Sequence, residues 1–268
     1  MSILLAAGAV TADSGGFEAP STADFWQPLF GTTGPWAITR ASIVILLSVG
    51  LLCWWLLAST RRVAVVPSRS QYFTEQVYGL VRNSVARDII GSHDFLKFVP
   101  LLFSMFVLIL LNNLFGVIPP VSFPTMSRFG FPAALALIVF VIYHYLGIRK
   151  MGLGGYFKHM VPPGVPSWVL VILFPLELLT YFFTRPVTLA LRLFGNMFAG
   201  HLLLVLFITG GEYLTLHSGV VGYIPVGIFS WIMAGVMTIF ELLVEFLQAY
   251  IFVLLAALYI AGSLADEH

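Results

Sequence analysis

Charge is scarce in this sequence. Only 9% of its 268 residues are Asp, Glu, Lys or Arg, against about 25% in an ordinary soluble domain. So few charges cannot coat a water-facing globule, and 59% hydrophobic residues with a mean hydropathy of +0.98 place the chain in a membrane. The net charge of +1 gives nucleic acid nothing to hold. Cysteine is nearly absent: Cys53 stands alone in an apolar run, which excludes a disulfide framework and a thiolate metal site. There is no Gly-rich phosphate loop, no Cys/His metal spacing and no internal repeat of the kind many transporters carry. No cofactor is therefore expected. The opening MSILLAAGAVTADSGG lacks a basic n-region and reads as an extramembrane tail rather than a cleaved signal.

What the chain does have is long apolar runs. After an outer tail (1–36), a first transmembrane helix is expected over 37–60, with ASIVILLSVGLLCWWLLAS at its centre and Arg61 and Arg62 directly behind it. An interfacial segment comes next, over 61–94. Phe73, Val77, Leu80 and Val81 share one helical face there while Gln76, Asn83 and Arg87 favour another, which suits a helix lying along the inner membrane surface. A transmembrane hairpin is expected over 95–150. Its first arm, Leu101 to Ile118, stops at Pro119-Pro120, and its second runs from Pro132 to Leu146 and ends at Gly147, Arg149 and Lys150.

The region 166–264 holds two apolar runs of 42 residues each, Trp168–Thr209 and Tyr223–Leu264. As single helices they would reach about 63 Å, against a hydrocarbon core of about 30 Å. Each is either two spans joined by a tight turn or one long, steeply tilted helix. No polar loop cluster marks either midpoint, and membrane helices tolerate prolines such as Pro175 and Pro186 as bends. The pattern favours long tilted helices. The expected fold is thus an all-α integral membrane protein with about five crossing helices and one interfacial amphipathic helix.

Basic residues set the orientation. Arg61, Arg62, Arg69, Arg82, Arg87 and Lys97, with Arg149, Lys150 and Lys158, gather on one side. Asp13, Glu18, Asp24 and Glu212 lie on the other, with only Arg40 and Arg128. Five crossings then put the N-terminus outside and the C-terminal DEH inside.

A charge inside lipid costs about 2.5–3.5 kcal/mol on insertion scales, so it marks function by default. Tyr181, Arg185, Thr188, Arg192 and Asn196 follow steps of three and four and form one stripe. Glu241, Glu245 and Gln248 stand at i, i+4 and i+7 on the next helix, and Tyr259 returns to nearly the same face eleven residues later. Carboxyls and histidines gain and lose protons, whereas arginine stays charged. The two stripes therefore read as a proton path with a fixed cation blocking a short circuit. Plainer readings stand beside this one. Arg192 is equally a candidate salt-bridge partner for Glu241 or Glu245, and His201 a packing histidine. His144 reads as interfacial, Asn112 and Asn113 as helix glue, and Glu177 as a helix–helix hydrogen bond. Gly195, Ala199 and Gly200 suit close packing with a helix of this chain or of a partner.

At these residues the sequence becomes specific. LALRLFGNMFAGHLLL, preceded by RPVT and followed by ELLVEFLQAYIFVLLAALYI, closely resembles the bacterial subunit a family of F-type ATP synthases. The likeness runs from about Asn113, in LLNNLFGVIPP, through GYFKHMVPPGVP to the C-terminus; residues before Pro67 match only in kind. The resemblance implies a stator subunit of the membrane motor, with two long tilted helices forming a hairpin along a rotating c-ring. It implies as further partners subunit b of the peripheral stalk, the lipid bilayer and protons. Arg192 matches the family's essential arginine, which meets the ring carboxylates and separates two aqueous half-channels. Asn196, His201, Glu241 and Gln248 match positions bordering the outer half-channel, and Tyr259 matches a tyrosine nearer the inner side. His201 and Glu241 reproduce a histidine–glutamate pairing that some relatives carry with the residues exchanged. Glu245 is not a general family position and joins the path only through its place on the stripe. Glu177 resembles an acidic residue whose register varies. The family implies no bond chemistry in this chain; the missing transit peptide and the overall length favour a multi-pass protein of the bacterial cell membrane over an organelle-encoded copy. A self-contained channel or transporter, or a structural scaffold, are the competing classes.

Overall fold

A computed structural model describes residues 28–30, 38–61, 67–92, 94–118, 125–160 and 166–264. Helix dominates. The helices are α1 (Arg40–Thr60), α2 (Arg69–Gly79), α3 (Asp88–Ile90), α4 (Phe95–Val117), α5 (Gly130–His159), α6 (Ser167–Leu179), α7 (Arg185–Glu212) and α8 (Ile224–Leu264). The first transmembrane helix starts at Arg40 rather than 37. Just before it, β2 (Ile38–Thr39) pairs antiparallel with β1 (Pro28–Phe30).

Among the described residues five helices are long and apolar enough to cross a membrane: Ala41–Thr60, Phe95–Val117, Gly130–Lys158, Trp168–His217 and Val221–Leu264. The last two settle one alternative left by the sequence. Trp168–His217 is helical for 50 residues and Val221–Leu264 for 44, with no turn at either midpoint. Their lengths are about 75 and 66 Å at 1.5 Å per residue. Helix continues through Pro175. Near Pro186 it persists by widening: a π turn, Thr180–Thr184, joins α6 to α7. A second π turn, Tyr213–His217, ends α7.

The chain divides into two compact units. The first holds the described residues up to Leu51, Leu108–Arg128 and Phe194–Gln248. Its core mixes apolar side chains (Ile109, Met197, Leu204, Ala234) with fully buried polar ones. Asn112 Nδ2 donates to Ser48 Oγ at 2.8 Å and its Oδ1 accepts from Thr125 Oγ1 at 2.9 Å, tying α1, α4 and the turn Thr125–Ser127 together. Asn113 Nδ2 donates to the Glu245 carbonyl on α8 at 3.2 Å. Both asparagines are helix glue, because an amide in lipid must find its partners within the protein.

The second unit holds Leu52–Val107, Phe129–Leu193 and the described residues from Ala249. Its core is apolar, with Val81, Val99, Leu102, Phe106, Leu189 and Leu193 buried, as are the small residues Ala249, Ala256 and Ala257 of α8. Here the segment 69–90 departs from the expected phase. Val81 is buried but Phe73 is exposed, its ring 6.1 Å from that of Trp55. The polar Gln71 and Thr74 are buried instead, and Ser59 Oγ donates to Thr74 Oγ1 at 2.8 Å. A π segment, Leu80–Arg87, follows α2 and rotates only the helix beyond it. In α5, Gly152 takes φ 72°, a left-handed conformation glycine tolerates, and the chain changes direction there.

Candidate functional site

Two groups of residues carry the polar chemistry, one in each unit. In the first unit α7 and α8 run antiparallel and very close. A methyl group placed on Gly227 would lie 3.1 Å from the Gly211 carbonyl and from the Thr215 amide, so backbone nearly meets backbone there. Ser230 Oγ donates to the Phe207 carbonyl at 2.8 Å across the same seam. Small residues permit this approach, as they do between membrane helices generally.

Further along the seam the sequence-predicted residues appear. A methyl on Gly200 would sit 3.2 Å from Glu241 Oε1, so the carboxyl of α8 lies directly over the bare backbone of α7. Asn196 Nδ2 donates to Gln248 Oε1 at 2.8 Å. The i, i+4, i+7 stripe on α8 is wholly inside: Glu241 is 4%, Glu245 1% and Gln248 3% exposed. His201 is buried as well, at 7%, whereas Asn196 is exposed. The four carboxylate oxygens of Glu241 and Glu245, and Gln248 Nε2, have no hydrogen-bond partner among the described residues. Buried polar atoms are nearly always bonded, so this unspent capacity, gathered along one helix seam, is unusual.

Arg192 belongs to the second unit. It is exposed, as are Thr188 and Leu191, while Leu189, Ala190 and Leu193 are buried on the opposite side of α7. Its guanidinium makes no ion pair with the described acids of its own unit; Asp94 pairs with Lys97 at 2.6 Å and Glu75 accepts from Gln71 at 2.7 Å. Glu177 is half-buried on α6, with no side-chain hydrogen bond among the described residues.

Tyr259, in the same unit, belongs to a cluster the sequence stripes did not foresee. The Arg185 guanidinium sits 3.5 Å from the centre of the Tyr181 ring and 5.2 Å from that of Tyr259, a cation–π arrangement. The Tyr143 ring is 5.8 Å from Tyr259, and its hydroxyl donates to the Tyr181 carbonyl at 2.6 Å. His144, near the inner end of its span, is buried within the protein. Its Nδ1 meets the Phe140 carbonyl at 3.0 Å, and the rings of Phe140, Phe182 and Tyr156 enclose it. The reason is the aromatic richness of α5 and of the chain before α7, which offers histidine a stacking cage. The sequence signal was present in FVIYHY, but alternation of aromatics on a helix does not say which partner they meet.

Among the described residues no three His, Cys, Asp or Glu side chains converge as a metal site would require.

Comparison with known proteins points one way. The family model for the ATP synthase A chain matches residues 41–261. A Nocardioides protein named ATP synthase subunit a is 48% identical over 269 residues, covering 96% of this chain and 97% of its own. The protein of that name from Pseudarthrobacter chlorophenolicus is 40% identical over 263 residues, with 96% and 97% covered. That from Streptomyces lividans is 37% identical over 262 residues, with 96% and 91% covered.

Proposed function

The chain belongs to the ATP synthase A chain family as a bacterial subunit a, a membrane component of Fo, and from that premise we propose how its residues serve the motor. It is the stator through which protons pass to and from a ring of c subunits, and it performs no bond chemistry itself. Protons enter from the outer side along the α7–α8 seam, by way of His201 and Glu241, with Asn196, Glu245 and Gln248 bordering the path. They reach a ring carboxylate that has just left Arg192. A neutral carboxylic acid can face lipid where a carboxylate cannot, so the loaded ring turns. After most of a revolution the proton leaves by a second, inner path, near which Tyr259 lies.

Arg192 keeps the two paths apart. A guanidinium attracts a carboxylate yet passes no proton on, because it does not discharge below pH about 12. Each charge falling through 100 mV supplies about 2.3 kcal/mol, so several crossings are needed for every ATP made elsewhere in the complex. Subunit b of the peripheral stalk holds the stator still. The N-terminus lies outside and the C-terminus in the cytoplasm, as the basic residues flanking the spans support.

One observation carries this reading: Arg192 is exposed on α7 without an ion pair to a described acid of its own unit, while the carboxyls of α8 are buried with no hydrogen-bond partner for their oxygens among the described residues. Arg192→Lys tests it. The assembled complex is expected to lose coupled proton pumping, since lysine does not reproduce the planar guanidinium. Normal assembly with near-normal pumping would leave a structural scaffold as the better reading. Proton conduction by the isolated chain in liposomes would favour a self-contained channel.

A further inference from the structure

We propose that Tyr143 is a positioning residue for the motor: its hydroxyl holds the π turn Thr180–Thr184, and that turn sets the direction in which Arg192 points. The proposal rests on the function assigned above to Arg192. All of its parts lie within the second unit.

The backbone chemistry of the turn is the starting point. In a regular α-helix the Arg185 N–H would bond the carbonyl four residues back, on Tyr181. It bonds the Thr180 carbonyl instead, five back. The next residue, Pro186, has no N–H, so it cannot donate to Tyr181 in the widened register. The Tyr181 carbonyl is thereby stripped of both its backbone donors. The Tyr143 hydroxyl, from a side chain 1% exposed on α5, donates to this carbonyl at 2.6 Å.

Pro186 makes the arrangement a choice between two registers. In an unbroken α-helix Arg185 would satisfy Tyr181, and only the missing proline N–H would leave a carbonyl, that of Phe182, without its donor. The widened turn leaves one carbonyl more without a backbone donor, and inside a membrane such a group must be satisfied by the protein. Tyr143 donates to Tyr181 and so offsets the extra cost of the widened turn. Arg185 then lies against the Tyr181 and Tyr259 rings. The widened turn carries one residue more than an α turn, and one residue corresponds to about 100° around the helix. Reverting to α would therefore rotate α7, with Arg192, relative to α6 by that order. π turns inside α-helices recur at functional sites; here the turn ends one residue before Arg185 and two turns before Arg192.

Two variants of the assembled ATP synthase test this. Tyr143→Phe removes the hydroxyl and keeps the ring. Tyr143→Phe with Pro186→Ala also restores an N–H, so no carbonyl is left bare; this protects assembly while removing the reason for a π turn. Protons pumped per ATP hydrolysed are measured, together with disulfide formation between Thr188→Cys, on the exposed face beside Arg192, and a cysteine placed next to the ring carboxylate. In both variants the pumping ratio is expected to fall roughly tenfold or more, on the scale by which small misplacements of working groups act, and the cross-link to weaken with it. An unchanged ratio and cross-link in the double variant would overturn the role of Tyr143 and leave that of Arg192 intact. No cross-link with Tyr143 in place would instead count against the ring-facing assignment itself.

Discussion

Asn196 on α7 donates through Nδ2 to Gln248 Oε1 on α8 at 2.8 Å, 52 residues away in sequence. Hydrogen bonds between membrane helices average about 0.6 kcal/mol and rarely exceed about 1.7. Asn196→Leu should therefore weaken the helix pair without dismantling it. In a double-mutant cycle with Gln248→Leu, the two losses in thermal stability of the complex should be less than additive, as for any pair in direct contact. Full additivity would mean that the two amides do not act together.

Glu241 and Glu245 offer four buried oxygens without partners among the described residues. Glutamine keeps the shape of glutamate and loses its exchangeable proton. Glu241→Gln is expected to slow proton translocation at least about tenfold, since proton-transferring side chains typically contribute 10²–10⁴. Glu245→Gln should slow it as well. ATP-driven acidification of inverted vesicles, at matched amounts of assembled complex, measures both; an undiminished rate removes that residue from the path.

Gly227 is a packing requirement rather than a chemical one. A methyl there would lie 2.5 Å from Thr215 Cγ2 and 3.1 Å from two backbone atoms of the opposing helix. The side-chain clash can be relieved by rotation, the backbone contacts only by moving the helices apart. Gly227→Ala should cost about 1–3 kcal/mol, the usual range for overpacking. The yield of assembled complex falls accordingly. Wild-type yield and thermal stability would show that the seam is looser than its geometry indicates.

Asn112 is a test of the polar core. It bonds Ser48, Thr125 and the Leu108 carbonyl. Asn112→Leu strands the Thr125 hydroxyl, and leaving a buried group unsatisfied costs about 1–3 kcal/mol. Reduced stability with proton pumping per assembled complex preserved is the expected result; a loss of pumping at full stability would give Asn112 a role beyond glue.

The sequence made the long helices legible because nothing polar interrupts their midpoints, and Trp168–His217 and Val221–Leu264 are indeed continuous. It made the buried face of α8 legible because Glu241, Glu245 and Gln248 obey an undisturbed 3.6-residue period, and all three are inside. The stripe on the preceding run was less secure. The π turn at Thr180–Thr184 changes the phase between Tyr181 and Arg192, and no residue type announces such a turn, although Pro186 stands at its edge. In the segment 69–90 the polar Thr74 rather than Phe73 faces the protein, with Ser59 as its hydroxyl partner, and the helix widens only beyond it, at Leu80–Arg87. The cage around His144 was not legible because it depends on rings from elements distant in sequence, among them Phe182. The expectations for Asp13, Glu18, Asp24, Pro119, Pro120 and the C-terminal DEH fall outside the described residues.

The most direct measurement of the central claim is a cysteine scan along α7 in the assembled complex. The chain would carry Cys53→Ser, with a cysteine set beside the ring carboxylate. Disulfides are predicted at Thr188 and Leu191, which share the exposed side with Arg192, and not at Ala190 or Leu193. Adducts that ignore this phase, or that form instead at the exposed Leu46 of α1, would contradict the account, because Arg192 would then face something other than the ring.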